Sequence, residues 1–119
     1  MENLTPSEVL LFRAECYRNL DGKGVFSIYS EKSEMCKLFN EDTFEEHFIK
    51  HTKDTVHAGI KIVNEKSKGS LAEVSYIEYI HAEGNLLTYY SKTAMVSEEG
   101  HWKILKEMRE IKKQAVSTV

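Results

Sequence analysis

Proline is almost absent from this sequence, which contains one proline and two cysteines in 119 residues. The proline, Pro6, lies near the amino terminus, so no proline-rich linker divides the chain and we expect a single domain over residues 1–119. Cys16 and Cys36 are 20 residues apart without a Cys-x-x-Cys pair, which excludes the spacing of a zinc ribbon or a dithiol redox motif. We expect both to be buried free thiols in a cytoplasmic protein.

Long hydrophobic runs and a strong charge of either sign are also missing. The longest apolar run, residues 9–12, is too short to cross a bilayer, and no export signal opens the chain. The net charge of −3 gives no overall field for a polyanion. Residues 103–113 are the only basic concentration, and because acidic residues interrupt them we expect a solvated face. The sequence therefore predicts neither membrane nor nucleic-acid binding.

Motifs for phosphate binding, serine nucleophiles and metal sites are absent as well. His47 and His51 are four residues apart, a spacing suited to a metal ion, but no third ligand is close in sequence. We therefore interpret the two histidines as polar residues beside a buried apolar stripe. We expect no metal, no cofactor and no catalytic residue.

Helical signals fill the first half of the chain. Thr5, Pro6 and Glu8 form a capping-box sequence that predicts a helix start, and Asp21-Gly22 predicts its end. One or two short helices should follow between residues 25 and 39, and then a helix capped by Asp42. The apolar stripe predicted for the first helix consists of Val9, Phe12, Cys16 and Leu20, widened by Leu10 and Tyr17.

From Thr55 onward the apolar pattern has a period of two, which predicts four strands. Short turns containing Gly69, Gly84 and Gly100 make each connection an antiparallel hairpin. His57 and His81 should face outward or lie at strand ends, and residues 106–119 should continue the last strand with a bulge or begin a helix. The predicted inward residues are Val56, Ala58, Ile60 and Ile62, then Ala72, Val74, Tyr76, Glu78 and Ile80, then Leu87, Tyr89, Ser91, Thr93 and Met95, then Trp102 and Ile104.

This order of elements resembles the NTF2-like (cystatin-like) superfamily, and in particular its small stand-alone bacterial members of unassigned function. The resemblance runs from "TPSEVLLFRAECYRNLDGKGVFSIYS" through "FEEHFIK" to "GSLAEVSYIEYIHAEGNLLTYYSKTAMVSEEGHWKI". It implies an α+β fold in which helices from about residues 6–52 pack in the concave face of a curved four-stranded antiparallel meander from about residues 55–112. Trp102 and Ile104 would then pack against Phe12 and Cys16 inside the cone.

The superfamily includes isomerases, dehydratases, polyketide cyclases, transport factors and binding modules, so the fold alone does not select a function. Ketosteroid isomerase relatives use a tyrosine of the first helix, an acid on a late strand and a carboxylate base. Only Tyr17 matches, because Ser91 or Lys92 occupies the position of the late-strand acid. We therefore do not expect ketosteroid isomerase chemistry.

Glu78 is the one charged residue in the predicted inward set. Among Tyr76, Tyr89 and Ser91, it is suited to be an acid with a raised pKa or a ligand anchor in the mouth of the cone. Alternatively, it lies in water at the open end of the sheet, or a bulge turns it outward.

The predicted outward face of the sheet is apolar, which indicates that something covers it. We expect a homodimer that pairs sheet to sheet; the alternatives are a monomer covered by its own tail and a complex with a different partner. The residues of this face are Leu71, Ile77, Tyr79, Leu86, Tyr90, Ala94, Val96 and Leu105.

The function predicted from these features is a non-catalytic module that binds a small molecule or another protein. Its ligand-binding residues would be Tyr17, Tyr76, Glu78 and Tyr89, and its ligand a small apolar molecule. The alternative is a small isomerase, dehydratase or cyclase in which Glu78 is the acid/base and Tyr17 donates a hydrogen bond to a developing oxyanion.

Overall fold

The computed structural model describes residues 3–113, and its first helix, α1, spans Pro6–Arg18. The capping box predicted for its start is present. The Thr5 hydroxyl accepts a hydrogen bond from the Glu8 backbone N–H at 3.2 Å, and the Glu8 carboxylate accepts one from the Thr5 N–H at 2.9 Å. These bonds satisfy two amide groups that have no partner inside the helix.

Three shorter helices follow: α2 (Gly22–Ser27), α3 (Glu34–Leu38) and α4 (Glu41–His51). The predicted cap of the last helix was wrong by two residues, because Asn40 rather than Asp42 precedes α4. The Asn40 side chain accepts from the Thr43 N–H, and the Thr43 hydroxyl accepts from the Asn40 N–H, both at 2.9 Å. An Asn and a Thr thus form the reciprocal pair for which the sequence pattern required Glu or Gln.

The second half of the described chain is one antiparallel sheet in the order β1-β2-β3-β4. Its strands are β1 (Thr55–Lys68), β2 (Leu71–Ala82), β3 (Asn85–Glu98) and β4 (His101–Lys113). Glu83-Gly84 and Glu99-Gly100 all have positive φ angles between 51° and 83°, as the tight hairpin turns of a twisted sheet require. The α+β meander is therefore confirmed. Residues 106–113 continue β4, with a register shift just before Lys106; residues 114–119 lie outside the described residues.

A bulge in β1 makes part of the predicted inward set wrong. The register with β2 shifts between His57 and Gly59, so the alternation before Gly59 is reversed. Val56 is 62% exposed and Ala58 is exposed, whereas His57 is only 8% exposed. After the bulge, Ile60 and Ile62 pack against the core as predicted.

The core lies between α1 and the concave face of the sheet, where Leu10, Val25, Val74 and Ile104 are fully buried. Leu20, predicted to end the apolar stripe, is exposed instead because α1 stops before it. Cys16 is buried, Cys36 is half-buried, and both are free thiols.

Trp102 is half-buried rather than fully enclosed. It packs against the core and lines a cavity of about 420 Å³ together with Val9, Phe12 and Ile28. Residues 28–30 run beside β4, since the Ser30 N–H donates to the Ile104 carbonyl and the Ile104 N–H to the Ile28 carbonyl, both at 2.8 Å. Part of the outer edge of β4 is covered in this way. Within residues 3–113, no helix has the length and apolar character needed to span a membrane.

Candidate functional site

A fully buried arginine lies at the centre of the cone. The guanidinium of Arg13 on α1 donates to the hydroxyls of Tyr29 and Tyr76, each at 2.9 Å. It also pairs with Glu107 on β4 and, at 3.4 Å, with Glu78 on β2. Burial alone would lower the pKa of Arg13, but these phenols and carboxylates raise it, so the guanidinium stays charged.

Glu78 is 1% exposed and is held by three basic side chains. Its Oε2 lies 2.8 Å from His57 Nε2, and its Oε1 lies 3.4 Å from Arg13 and 3.6 Å from Arg109. Burial favours the neutral acid, but the hydrogen bond with His57 and the arginine charges outweigh it and lower the pKa of Glu78. The alternative of an acid with a raised pKa was therefore wrong, because it did not include the cations that surround this carboxylate, and the alternatives of Glu78 in water or turned outward were wrong because the side chain is buried.

Two phenols extend these contacts into what we call the charge network: Arg13, Tyr29, His57, Tyr76, Glu78, Glu107 and Arg109. The Tyr29 hydroxyl donates to Glu107 at 2.9 Å, and the Tyr76 hydroxyl shares a hydrogen bond with Thr93 at 2.7 Å. Burial raises the pKa of Tyr29, so this phenol keeps its proton and donates it. Two arginines and two glutamates balance one another in the network.

Tyr89 and Tyr17 border the network through different members of it. Tyr89 is half-buried opposite Glu78 in the strand register, and the Arg109 guanidinium lies 5.5 Å from its ring centre. The Tyr17 ring stacks on His57, with centres 6.3 Å apart, and contacts Phe48. Burial raises the pKa of Tyr17, so its hydroxyl is protonated at neutral pH.

All four predicted ligand-binding residues are thus joined to one network, but not around one opening. The polar atoms of Tyr76 and Glu78 are hydrogen-bonded inside the protein. The Tyr89 ring packs against Arg109, whereas Tyr17 lines a separate cavity with His57. Glu78 in this state does not fit the role of a general acid, because it is ionised at neutral pH.

The sequence offered one signal for Arg13, which was overlooked. Arg13 is three residues after Leu10 and four before Tyr17, so it lies on the apolar face of the helix. His57 was predicted to face outward and is instead buried against Glu78, because the bulge in β1 reverses its side. Gly59, an isolated glycine within β1 at this register shift, is the sequence signal that could have indicated the bulge.

A cavity of about 410 Å³, which we call the α1–α4 cleft, opens where α1 and α4 end and β1 begins. Tyr17, His57 and Thr52 contribute to its walls, and Leu20 and Ile49 lie at its exposed side. Within residues 3–113, four buried polar side-chain atoms have no hydrogen-bond partner: Arg13 Nε, His57 Nδ1, Thr88 Oγ1 and Ser91 Oγ. Of these residues, His57 lines the cleft.

Metal-binding side chains do not gather in groups of three or more in the described part of the chain. His47 and His51 stack with ring centres 4.1 Å apart on the exposed side of α4, and the Phe39 ring packs on His47. These ring contacts explain the pair as surface residues that pack on each other and on Phe39.

Comparison with known proteins identifies the fold. No family model matches the chain, and no curated protein matches it. Solved structures do match, including a SEC-C motif containing protein from Rhodopseudomonas palustris, with a TM-score of 0.73 and 15% identity over 87% of this chain and 77% of that one.

Two further matches are described as proteins or domains of unknown function. One, from Nostoc punctiforme, has a cystatin-like fold, a TM-score of 0.71 and 11% identity, covering 92% of this chain and 80% of that one. The other, an NTF2-like protein from Shewanella oneidensis, has a TM-score of 0.68 and 12% identity, covering 87% of this chain and 93% of that one. The chain therefore has the NTF2-like (cystatin-like) fold, as its sequence indicated, and these similarities do not extend to an activity.

Proposed function

We propose that the protein is a non-catalytic binding module that forms a two-fold dimer through the convex face of its sheet and holds a small molecule beside the charge network. The observation that carries this proposal is the apolar character of a sheet face that no helix covers within residues 3–113. A cytoplasmic location is part of the proposal, since both cysteines are free.

The convex face carries a cluster of large apolar side chains, with charged residues such as Lys61, Glu73 and Lys92 among and around them. Ile77 lies near its centre, between Lys61 of β1 and Tyr90 of β3 in the strand register. Contiguous exposed apolar surface of this kind on a soluble protein is typical of an interaction site. Because a two-fold axis uses one patch twice, a single self-complementary face is enough for a closed dimer. The apolar residues of this face include Val63, Leu71, Ile77, Tyr79, Leu86, Tyr90, Val96 and Met108.

Binding of a small molecule is supported by the polar atoms that the cone leaves without partners among the described residues. Buried polar groups are almost always hydrogen-bonded, so the unpaired atoms of His57 and Ser91 are the positions at which we propose that a bound molecule supplies the missing partner. Both residues adjoin Glu78, since Nε2 of His57 contacts its carboxylate and Ser91 lies one inward-facing pair away in the β2–β3 register. Tyr17, Tyr76, Glu78 and Tyr89 remain the proposed ligand-binding residues because they are parts of, or border, this network.

A second candidate, a small isomerase, dehydratase or cyclase, is favoured by one observation: a histidine paired with a buried carboxylate. In such an enzyme His57 rather than Glu78 would exchange the proton, with Glu78 orienting its ring. We rank it second because the arginines that surround Glu78 weaken it as a base, and because the ketosteroid isomerase positions are not matched.

The oligomeric state tests the proposal. Light scattering after size exclusion should give a dimer for the wild type and a monomer for Ile77→Lys, which places a charge in the middle of the convex face. A central interface substitution of this kind weakens association by on the order of 2 kcal/mol or more, about 30-fold. Leu38→Lys is the matched control on α3, where Leu38 is 69% exposed, and it should remain dimeric.

Native mass spectrometry of the same samples, purified from the natural host, reports partners and retained ligands. A wild-type protein that is monomeric at every concentration tested, without a second protein bound, would contradict the interaction proposal. An Ile77→Lys variant that remains dimeric would place the interface elsewhere.

A further inference from the structure

A second cavity, which we call the α1–β4 cavity, lies between the start of α1, the end of α2 and the start of β4. It encloses about 420 Å³, a volume typical of sites for small organic molecules. The described residues that line it are Leu4, Val9, Phe12, Ser27, Ile28, His101, Trp102 and Lys103. No member of the charge network is among them, so the cavity is separate from the ligand site proposed above.

The walls of the α1–β4 cavity are mainly apolar. Val9 and Ile28 are buried, whereas Leu4, Phe12 and Trp102 pack on the core and remain half-buried. Half-buried rings leave apolar surface in water beside the cavity, and removing that surface from water is favourable. These walls are suited to the apolar body of a ligand.

A cation lies at the edge of these apolar walls. The Lys103 ammonium donates to the carbonyl of Ser27, the last residue of α2, at 2.6 Å. Because Ser27 also lines the cavity, this bond holds the ammonium beside it. Within residues 3–113, no acidic side chain forms an ion pair with Lys103. An ammonium group has three N–H donors, so the bond to Ser27 leaves donors for a ligand.

The polar groups at the cavity favour an anion. His101 carries an N–H donor in either tautomer, and no acidic residue is among the described lining residues. Glu98 lies opposite His101 in the strand register, but its carboxylate accepts a hydrogen bond from the Ser30 hydroxyl at 2.6 Å. A carboxylate on the ligand would therefore find hydrogen-bond donors and a positive charge at the edge of the apolar walls.

We infer that the α1–β4 cavity binds a small apolar carboxylate, whose ring or chain packs against Phe12 and Trp102 and whose carboxylate pairs with the Lys103 ammonium. This inference goes beyond the proposed function, because it uses a different cavity and none of the four proposed ligand-binding residues. It also does not depend on a dimer.

A pair of probes isolates the charge of the ligand. 4-Phenylbutyrate and 4-phenylbutanamide have the same ring and chain, but only the acid is ionised at neutral pH. Trp102 is the single tryptophan of the chain, so its fluorescence reports the cavity directly. The acid should bind saturably and shift the Trp102 emission to shorter wavelength as water leaves the ring. The amide should bind about fivefold more weakly, since it lacks the ion pair.

Two lysine variants test the cation. Lys103→Met should lower the affinity for the acid about fivefold, to that of the amide, and should leave the affinity for the amide unchanged. Lys106→Met is the matched control, because Lys106 is an exposed lysine of the same strand that does not line the cavity. It should leave the binding of both probes unchanged.

Two leucine variants test the apolar walls. Leu4→Glu should weaken the binding of both probes at least about fivefold, because it places a charge on an apolar wall. Leu11→Glu is the matched control at a leucine that is 44% exposed and does not line the cavity, and it should alter neither affinity.

Two-dimensional amide NMR titrations of the same samples locate the probes, with shifts expected at residues 4–12, 27–28 and 101–103. Equal affinity of the wild type for acid and amide, or the absence of saturable binding of the acid, would overturn the inference. So would an equal loss of acid binding in Lys103→Met and Lys106→Met, which would indicate a general effect of charge. Shifts centred on Tyr17, His57 or Tyr89 would overturn the α1–β4 site while supporting the proposed one beside the charge network.

Discussion

Along β2, neighbouring residues face opposite sides of one sheet and have opposite surroundings. On the concave side Tyr76 and Glu78 are polar or charged and are almost completely buried. On the convex side Ile77 and Tyr79 are large and largely apolar, yet half-exposed. Residue type alone would have assigned these two faces the other way round.

The difference shows that the two faces are stabilised in different ways. Charges on the concave face are tolerated because each has partners within the same chain, so the loss of one member leaves the others buried and uncompensated. Apolar groups on the convex face contribute their full burial energy only when another surface covers them. The charges of the concave face are therefore paired within one chain, and the convex face is predicted to need a second one.

The largest expected effect is that of removing the central cation. Arg13→Met keeps most of the side-chain volume but leaves Glu78, Glu107 and two phenols without their common donor. We expect a loss of about 3–5 kcal/mol of unfolding free energy, measured by urea denaturation. The convex control is Lys92→Met, which removes an exposed cation 3.8 Å from Glu73 and should change stability by less than about 0.5 kcal/mol.

If Arg13→Met were as stable as the wild type, the concave charges would not depend on one another. Repacking of apolar residues around the introduced methionine side chain is the physical route to that result, since buried ion networks can sometimes be replaced without loss. The comparison between the faces would then rest on the convex face alone.

A smaller effect is expected from pH. The pKa of Glu78 is lowered below its usual value of 4.5, so its contribution to stability is present above that value and is lost as the pH falls through the folded pKa. Unfolding free energy should therefore decrease on acidification from about pH 5 to about pH 3, and Glu78→Gln should lack this component of the decrease. Glu73→Gln on the convex face should follow the wild-type curve.

Parallel curves for the wild type and Glu78→Gln would show that the Glu78 carboxylate has the same pKa in the folded and unfolded chain. That outcome would contradict the close pairing of Glu78 with His57 and the two arginines.

The fold was predictable because its signals are local. A capping box at Thr5, hairpin glycines at residues 84 and 100, and alternation along β2 each act over a few residues, and together they leave one topology. The inward position of Glu78 followed from that alternation. The cap at Asn40 was missed because Thr43 supplies the reciprocal bond, which the usual sequence pattern does not include.

The site was only partly predictable, because its properties come from contacts between distant residues. Arg13 and Glu107 are 94 residues apart in sequence, and His57 reaches Glu78 only because of an extra residue in β1. A pKa depends on all neighbouring charges, so a carboxylate judged by its own strand was given the wrong direction of shift. The Arg13 signal on the helix face was present and could have corrected it.

The smallest effect compares the same chemical change on the two faces, with both substitutions made in Ile77→Lys so that dimer formation does not contribute. Tyr76→Phe removes a hydroxyl that accepts from Arg13 and bonds Thr93, and it should cost about 1.5 kcal/mol because both groups are buried. Tyr79→Phe removes a hydroxyl with no hydrogen bond among residues 3–113, and it should cost less than about 0.5 kcal/mol. If urea denaturation showed the same loss of unfolding free energy for both variants, the Tyr79 hydroxyl would contribute as much to stability as the Tyr76 hydroxyl. The proposed difference between the two faces of the sheet would then be contradicted.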